Sequence, residues 1–392
     1  MTPRRAHIAM IGTPFLGHVI PSSEVLAELV ARGHRVTAAN EEAVAGRLSA
    51  TGAEFVPVVR RFPDDGGAWV QDPVSTLNVL LDCNMQTLPQ LRDVYDEDPA
   101  DLYLYDTGAY VGRTLAEAQG RPSALVTPCV VALNLDNEVT TEAETAELPG
   151  AEAYEARFTE WLVRSGAATT DVDEFTGRHR TLALISKVLQ PHAERLDPDE
   201  VTFTGPCFLR RESQEGGWKR PERAERVLLI SLGSSFTRQP EFYRRCLAAF
   251  GGLPGWHVVL GIGPDVDPAE LGTVPENVEV HAWAPQLSVL AQADAFLTHG
   301  GAGSCGEALF HGLPMVVVPQ GSDQISTAEL LVERGVARRI DTADATPEAL
   351  REAVTSLVGD PLVRGRLAAL RAEVRSEGGA ARAADIIEAM LE

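Results

Sequence analysis

The sequence of 392 residues predicts an α/β protein made of two doubly wound, Rossmann-like domains. Three observations carry that prediction: a βαβ pattern at the N-terminus, a polar and breaker-rich stretch near the middle, and a second alternation of short apolar runs with amphipathic segments after it. Length agrees, because a prior of about 150 residues per domain gives two or three domains.

The first strand is the apolar run Ala6 to Ile11, followed by a loop from Gly12 to Pro21. Val25, Leu26, Leu29 and Val30 then recur at helical spacing, with Ser22 or Ser23 as N-cap and Glu24 in the first turn. Gly33 stands where a helix end wants a left-handed residue, and a second apolar run begins at Val36. Runs at Phe55 to Val59, Leu102 to Tyr105 and Ala124 to Thr127 extend a parallel sheet. From Pro206 to Glu225 the composition is that of a linker, which puts the boundary near residue 215 and gives domains 1–215 and 216–375. In the second domain the strand candidates are Val227 to Ser231, Trp256 to Leu260, Val278 to His281, Ala295 to Thr298 and Met315 to Val318. The tail has two helical segments separated by Glu377-Gly378-Gly379. The last, 376–392, carries Ala384, Ile386, Ile387, Met390 and Leu391 as an apolar stripe and is a candidate to cross back onto the first domain.

Composition narrows the class of partner. With 34 basic and 56 acidic residues the formal charge is -22, which repels nucleic acid and anionic membranes and favours small uncharged substrates. The anionic part of a nucleotide ligand must then be held by local dipoles. Cys83, Cys129, Cys207, Cys246 and Cys305 are odd in number and lack metal spacing, so they read as reduced thiols of a cytoplasmic protein. The start MTPRRAHIAMIGTPF mimics a signal peptide but is broken by Gly12 and Pro14, and no apolar stretch approaches the roughly 20 residues of a membrane span. A homodimer stays open.

Sites in open α/β sheets form beyond the carboxyl ends of the strands, so the loops there matter most. Ser231-Leu232-Gly233-Ser234-Ser235 offers small residues whose amides can approach a phosphate, although a tight turn would use the same residues. His299-Gly300-Gly301-Ala302-Gly303-Ser304-Cys305-Gly306-Glu307 is richer. Glycines at a strand-to-helix turn expose helix-terminal amides to a diphosphate, Ser304 adds a hydroxyl, His299 a ring nitrogen donor, and Glu307 an acceptor for ribose hydroxyls. A plain turn with a structural His is the competing reading. Pro319 to Gln324 places Asp323 beside Gln324 for sugar hydroxyls, and Trp283-Ala284-Pro285-Gln286 offers an indole face for a base.

Together, Trp283, Gln286, His299, Gly301, Gly303, Ser304, Glu307, the Gly312-Leu313-Pro314 turn and Asp323-Gln324 resemble the nucleotide-sugar signature of GT-B fold, family 1 glycosyltransferases. The resemblance implies two domains facing a cleft, with Trp283 stacked on the base. It further implies that His299, Ser304 and the glycine amides hold the diphosphate, Glu307 the ribose, and Asp323 and Gln324 the transferred sugar.

An inverting transfer needs a base for the acceptor hydroxyl, and His suits neutral pH. His18, in the segment FLGHVIPS after the first strand, is expected to project into the cleft. Asp106, in LYDTGAY at the end of another strand of the same sheet, is the expected carboxylate that fixes the His18 tautomer, with capping of the next helix as its alternative role. Asp93, Asp96, Glu97, Asp98 and Asp101 precede that strand and should face the other way. Over essentially the whole chain, including EGGAARAADIIEAMLE, the sequence resembles the oleandomycin-type macrolide glycosyltransferases of antibiotic-producing bacteria. That implies glucose transfer from UDP-glucose to a macrolide hydroxyl, inactivating the drug and conferring antibiotic resistance. The loop Thr13-Pro14-Phe15-Leu16 is bulkier than that family's, which bears on the acceptor.

Neither a metal nor another cofactor is expected. Asp171-Val172-Asp173, Asp197-Pro198-Asp199 and Asp265-Val266-Asp267 match a DxD pattern, but none lies in a glycine-rich strand-to-helix loop. His34, His192, His257, His281 and His311 show no convergent partners. Trp69, Leu77, Leu80, Leu81, Met85, Leu88, Val130, Val131, Phe158 and Trp161 are candidates for an apolar acceptor pocket or for plain core. Besides glucosyl transfer, a TDP-deoxysugar transferase of antibiotic biosynthesis shares nearly every motif. A non-catalytic partner protein would be expected to have lost His18, Asp106 or the donor loop, and an epimerase would need carboxylates beside the donor sugar.

Overall fold

A computed structural model describes residues 5–61, 72–131, 149–177, 179–208, 210–211, 217–235, 237–321 and 323–391. It divides into two compact units, Met1–Leu184 with Glu194–Phe203 and Ala380–Glu392, and Ile185–Ala193 with Thr204–Gly379. The chain thus leaves the first unit before the breaker-rich stretch that had suggested a boundary near residue 215.

The first unit is built on seven parallel strands: β1 (His7–Ile11), β2 (Arg35–Asn40), β3 (Glu54–Pro57), β4 (Leu102–Asp106), β5 (Ser123–Thr127), β6 (Thr181–Ala183) and β7 (Val201–Phe203). Their order is β3-β2-β1-β4-β5-β6-β7. Every residue of β1 and β4 is buried, as expected of a parallel sheet covered on both faces, and that is why these strands read as unbroken apolar runs. Chain order reverses between β1 and β4. Ile11 lies level with Tyr105, so the residues that follow the two strands emerge side by side on one rim.

The second unit repeats the plan with β8 (Arg226–Ser231), β9 (Trp256–Gly261), β10 (Val278–His281), β11 (Ala295–Thr298), β12 (Met315–Val317) and β13 (Ala337–Arg339), in the order β10-β9-β8-β11-β12-β13. Here the reversal falls between β8 and β11, where Ser231 pairs with Thr298.

Two expectations need correction. The helix after β1 spans Leu16–Ala31, so His18 lies in its first turn and Pro21 inside it, whereas the glycines and Pro21 had suggested a loop. Pro21, in the second turn of that helix, cannot donate back to the Gly17 carbonyl, so the helix forms despite a breaker. Phe15 is the N-cap with no side-chain bond, and Ser23 is no cap: its hydroxyl donates to the Val19 carbonyl at 2.6 Å. The other end is as expected, with Gly33 at φ +94° and the His34 amide donating to the Leu29 carbonyl. The second correction is that β6, β7 and β13 were not foreseen; at three residues each they show no periodicity.

The last helix, Gly379–Ala389, falls mostly in the first unit. Arg32, at the end of the helix after β1, donates to Asp385 at 2.6 Å and Glu388 at 2.7 Å, and Glu388 also meets His34 Nε2 at 3.0 Å. Of the apolar stripe, Ala384 and Ile387 are buried and Ile386, Met390 and Leu391 partly so. Among the described residues no helix is long and apolar enough to cross a membrane.

Candidate active site

In the first unit the structure brings His18 and Asp106 together at the reversal of strand order, the place where doubly wound sheets hold ligands. His18 Nδ1 lies 2.8 Å from Asp106 Oδ1. The carboxylate is 1% exposed and accepts further bonds from the Thr107 amide at 2.8 Å, the Thr13 amide at 3.2 Å and the Thr13 hydroxyl. A carboxylate so fully supplied can only accept from Nδ1, which therefore carries the proton and leaves Nε2 as the basic nitrogen. Burial alone would depress the proton affinity of His18. The Asp106 carboxylate overrides it and lifts the imidazole well above the ordinary histidine range.

The surrounding backbone holds this pair still. Asn40 donates to the Thr13 carbonyl at 2.9 Å and buried Arg60 to the Gly12 carbonyl at 2.8 Å. Asn84 bridges the Gly108 carbonyl and the Val111 amide, both at 2.8 Å. The helix that starts at Val111 has Tyr110 as N-cap without a side-chain bond, so Asp106 does not cap it. The competing acids do face the other edge: Asp101 accepts from the His7 amide and Asp98 from Arg35.

Beside His18 lies a cavity of about 270 Å³. Leu77, Leu80, Leu81 and Phe158 line it as the sequence suggested, joined by Phe15, Thr107, Gly108, Tyr110 and Tyr154. Leu88 and Trp161 belong to the core instead, with Met85 packed against it. Trp69 lies outside the described residues. Aromatic and aliphatic walls with a few hydroxyls suit an apolar guest that presents one polar group.

In the second unit the loops after β8 and β11 meet. Gly233 has φ +78°, and a Cβ there would come within 2.6 Å of the His299 ring; a Cβ on Gly301 would come within 2.5 Å of His299 Nε2. The two glycines thus clear the space in which the imidazole sits, a stronger reason than turn geometry. Burial pushes His299 down to about 4, so the ring is neutral near pH 7 and carries one N–H. Its Nδ1 is 3.3 Å from the Thr298 hydroxyl.

Gly301 is also the N-cap of the helix Ala302–His311, with no side-chain bond. First-turn amides have no partner within their own helix, so those around exposed Gly303 form a positive end suited to a diphosphate. Gln286 Nε2 donates to Glu307 Oε2 at 2.6 Å and to Ser304 Oγ at 3.3 Å, so these motif residues form one cluster. Trp283 is half exposed, open to a flat partner. Ser234 lies in the turn after β8. Asp323 precedes the helix Gln324–Glu333, whereas Gln324 is buried and its Oε1 accepts from the Gln320 amide at 2.8 Å.

Comparison with known proteins shows the family and the fold. Residues 255–390 match the family model described as erythromycin biosynthesis protein CIII-like, C-terminal domain. The oleandomycin glycosyltransferase of Streptomyces antibioticus is 48% identical over 393 residues, spanning 98% of this chain and 91% of that protein. The chain belongs to this glycosyltransferase family. The crystal structure of the glycotransferase of kitacinnamycin superposes with a TM-score of 0.90 at 47% identity, covering 100% of both chains. The calicheamicin glycosyltransferase CalG4 gives 0.85 at 34%, covering 99% of this chain and 98% of that one. The two parallel-sheet, Rossmann-like units are those of the GT-B fold.

Three contacts in this glycosyltransferase were not foreseen. Thr13 sits on Asp106, Cys129 Sγ lies 3.5 Å from His18 Nε2, and Arg211 donates to Glu307 Oε1 at 2.7 Å. The Thr13 hydroxyl in the first loop was the only local signal. Of the acidic pairs, Asp171 and Asp267 accept from helix-start amides and Asp197 from the Asp199 amide, which are local turn roles. His257 and His281 do converge, on Glu279 at 2.8 and 3.3 Å, contrary to expectation.

Proposed function

We propose that the protein is a metal-independent, inverting glycosyltransferase that moves glucose from UDP-glucose to a hydroxyl of a macrolide or similar apolar natural product, forming a β-glycoside. The observation that carries this reading is the His18–Asp106 pair, with Nε2 as the basic nitrogen beside an apolar cavity. The acceptor's apolar body fills that cavity, and its hydroxyl donates to Nε2. As the oxygen attacks the anomeric carbon, its proton passes to His18. The bond from that carbon to the diphosphate breaks, and the negative charge leaves on UDP. Asp106 stabilises the imidazolium that forms.

The helix terminus at Gly301 to Ser304 and the neutral His299 N–H take the developing diphosphate charge, the role that a cation has in metal-dependent transferases. Trp283 stacks on the base, Glu307 accepts from the ribose, and Asp323 and Gln324 hold the sugar. A TDP-deoxysugar donor is the second reading. One observation favours it: Gln324 Oε1 is already bonded to Gln320, leaving fewer acceptors for a fully hydroxylated hexose.

Incubation with UDP-glucose or a TDP-deoxysugar and a panel of macrolides and phenolics, with products identified by mass and anomeric coupling, tests both. β-Linked glucosides from the α-linked donor are expected. α-Linked products would overturn inversion, and turnover confined to the TDP-deoxysugar would select the second reading.

A further inference from the structure

Among the five cysteines, Cys129 is set apart by its surroundings. Cys83, Cys207, Cys246 and Cys305 are buried, and burial pushes the Cys83, Cys246 and Cys305 thiols up. Cys129 is partly open, and its sulfur lies 3.5 Å from the nitrogen of His18 that must receive a proton. The contact is anchored at both ends. The Cys129 amide donates to the Thr127 hydroxyl at 3.2 Å, Thr127 meets the Thr107 hydroxyl at 2.9 Å, and the Thr107 amide is bonded to Asp106. A single chain of bonds therefore links both sides of the imidazole.

With Nδ1–H given to Asp106, Nε2 presents its lone pair to Cys129, and the S–H donates weakly to it. Once His18 is protonated, Nε2–H donates to the sulfur instead. In both states the sulfur fixes the ring about the axis that the Asp106 bond leaves free. A weak donor is also one that an acceptor hydroxyl can displace. We propose that Cys129 is a positioning residue of the transfer reaction, its thiol holding His18 Nε2 beside the apolar cavity until an acceptor hydroxyl takes its place. The inference rests on the glycosyl-transfer reading above.

The groups facing His18 are Asp106 from the end of β4, Cys129 from beyond β5, the Phe15 ring at 5.9 Å from its own helix start, and Thr107, Tyr110 and Tyr154 around the shared cavity. Of these, Asp106 and Cys129 favour the imidazolium against the effect of burial.

The test follows the NMR titration of His18, and the pH dependence of kcat/KM with UDP-glucose, in wild type, Cys129→Ala and Cys129→Ser. In Cys129→Ala both midpoints should move to lower pH, and Cys129→Ser should restore them. Carboxamidomethylation of Cys129 with iodoacetamide should slow wild-type transfer about 10²-fold or more by displacing the acceptor from its base, with UDP binding unchanged. Superimposable His18 titrations in wild type and Cys129→Ala would overturn the proposal. So would full turnover by protein shown by mass spectrometry to be alkylated at Cys129. Should the wild type make no glycoside from any acceptor, the functional reading fails, and the NMR titration alone still decides whether the thiol governs His18.

Discussion

Each unit places a histidine at its reversal of strand order, on opposite sides of that reversal, and gives it opposite chemistry. His18 follows β1 beside β4, and His299 follows β11 beside β8, each where strand order reverses. His18 meets a carboxylate and binds its proton more tightly than a free imidazole, whereas His299 meets a threonine hydroxyl, the Ser231 backbone and two glycines and is pushed down to about 4 by burial. Both are buried enough for desolvation to oppose charge, so the difference lies in the partner. The fold decides where a functional residue emerges. The neighbouring charge decides whether it becomes a base or a neutral donor.

The largest expected effect that tests this contrast is on His18. His18→Ala should lower turnover by about 10² to 10⁴ while leaving UDP affinity intact; normal turnover would remove His18 from the base role. Asp106→Asn should come next, because the ring remains but loses the charge that fixes its tautomer. The alkaline-rising limb of its kcat/KM profile should also move to lower pH. An unchanged limb would show that Asp106 is not what raises His18.

Much of this contrast could be read in the sequence because parallel strands buried on both faces leave apolar runs, and the residues just after them must lie on one rim. That argument reached Asp106 from LYLYD and His299 from AFLT. It missed the contacts of Cys129 with His18 and of Arg211 with Glu307, because nothing in the sequence around Cys129 or Arg211 marks the partner. Pro21 misled in a different way, since the buried face of this helix, Val19 to Leu29, outweighs the one backbone bond that the proline removes. Gly233 and Gly301 were noticed for their amides, yet their nearest constraint is the ring of His299, which no local pattern displays.

On the donor side the effects are smaller and should appear in binding. His299→Ala removes one hydrogen bond to a charged group, about 1.5–3 kcal/mol, or roughly 10- to 100-fold in UDP affinity. Turnover at saturating donor should change little. A collapse of kcat with unaltered UDP affinity would mean that His299 does more than hold phosphate.

The smallest effect is on stability, and there the two histidines should pull in opposite directions. His18 has a raised proton affinity in the folded state, so its stabilisation is fully present below the unfolded value of about 6.5 and is lost as pH rises through the folded one. His299 is depressed to about 4, so its contribution is present above about 6.5 and is lost as pH falls toward 4, when the unfolded chain gains a proton that the folded one refuses. Denaturant unfolding across pH for wild type, His18→Gln and His299→Gln isolates each histidine by difference. Subtracting the His18→Gln curve should leave a difference that declines on the alkaline side, and subtracting the His299→Gln curve one that declines on the acid side. Two differences declining in the same direction would mean that the partners assigned here do not set the charge of these rings, and the division into base and neutral donor would fall with them.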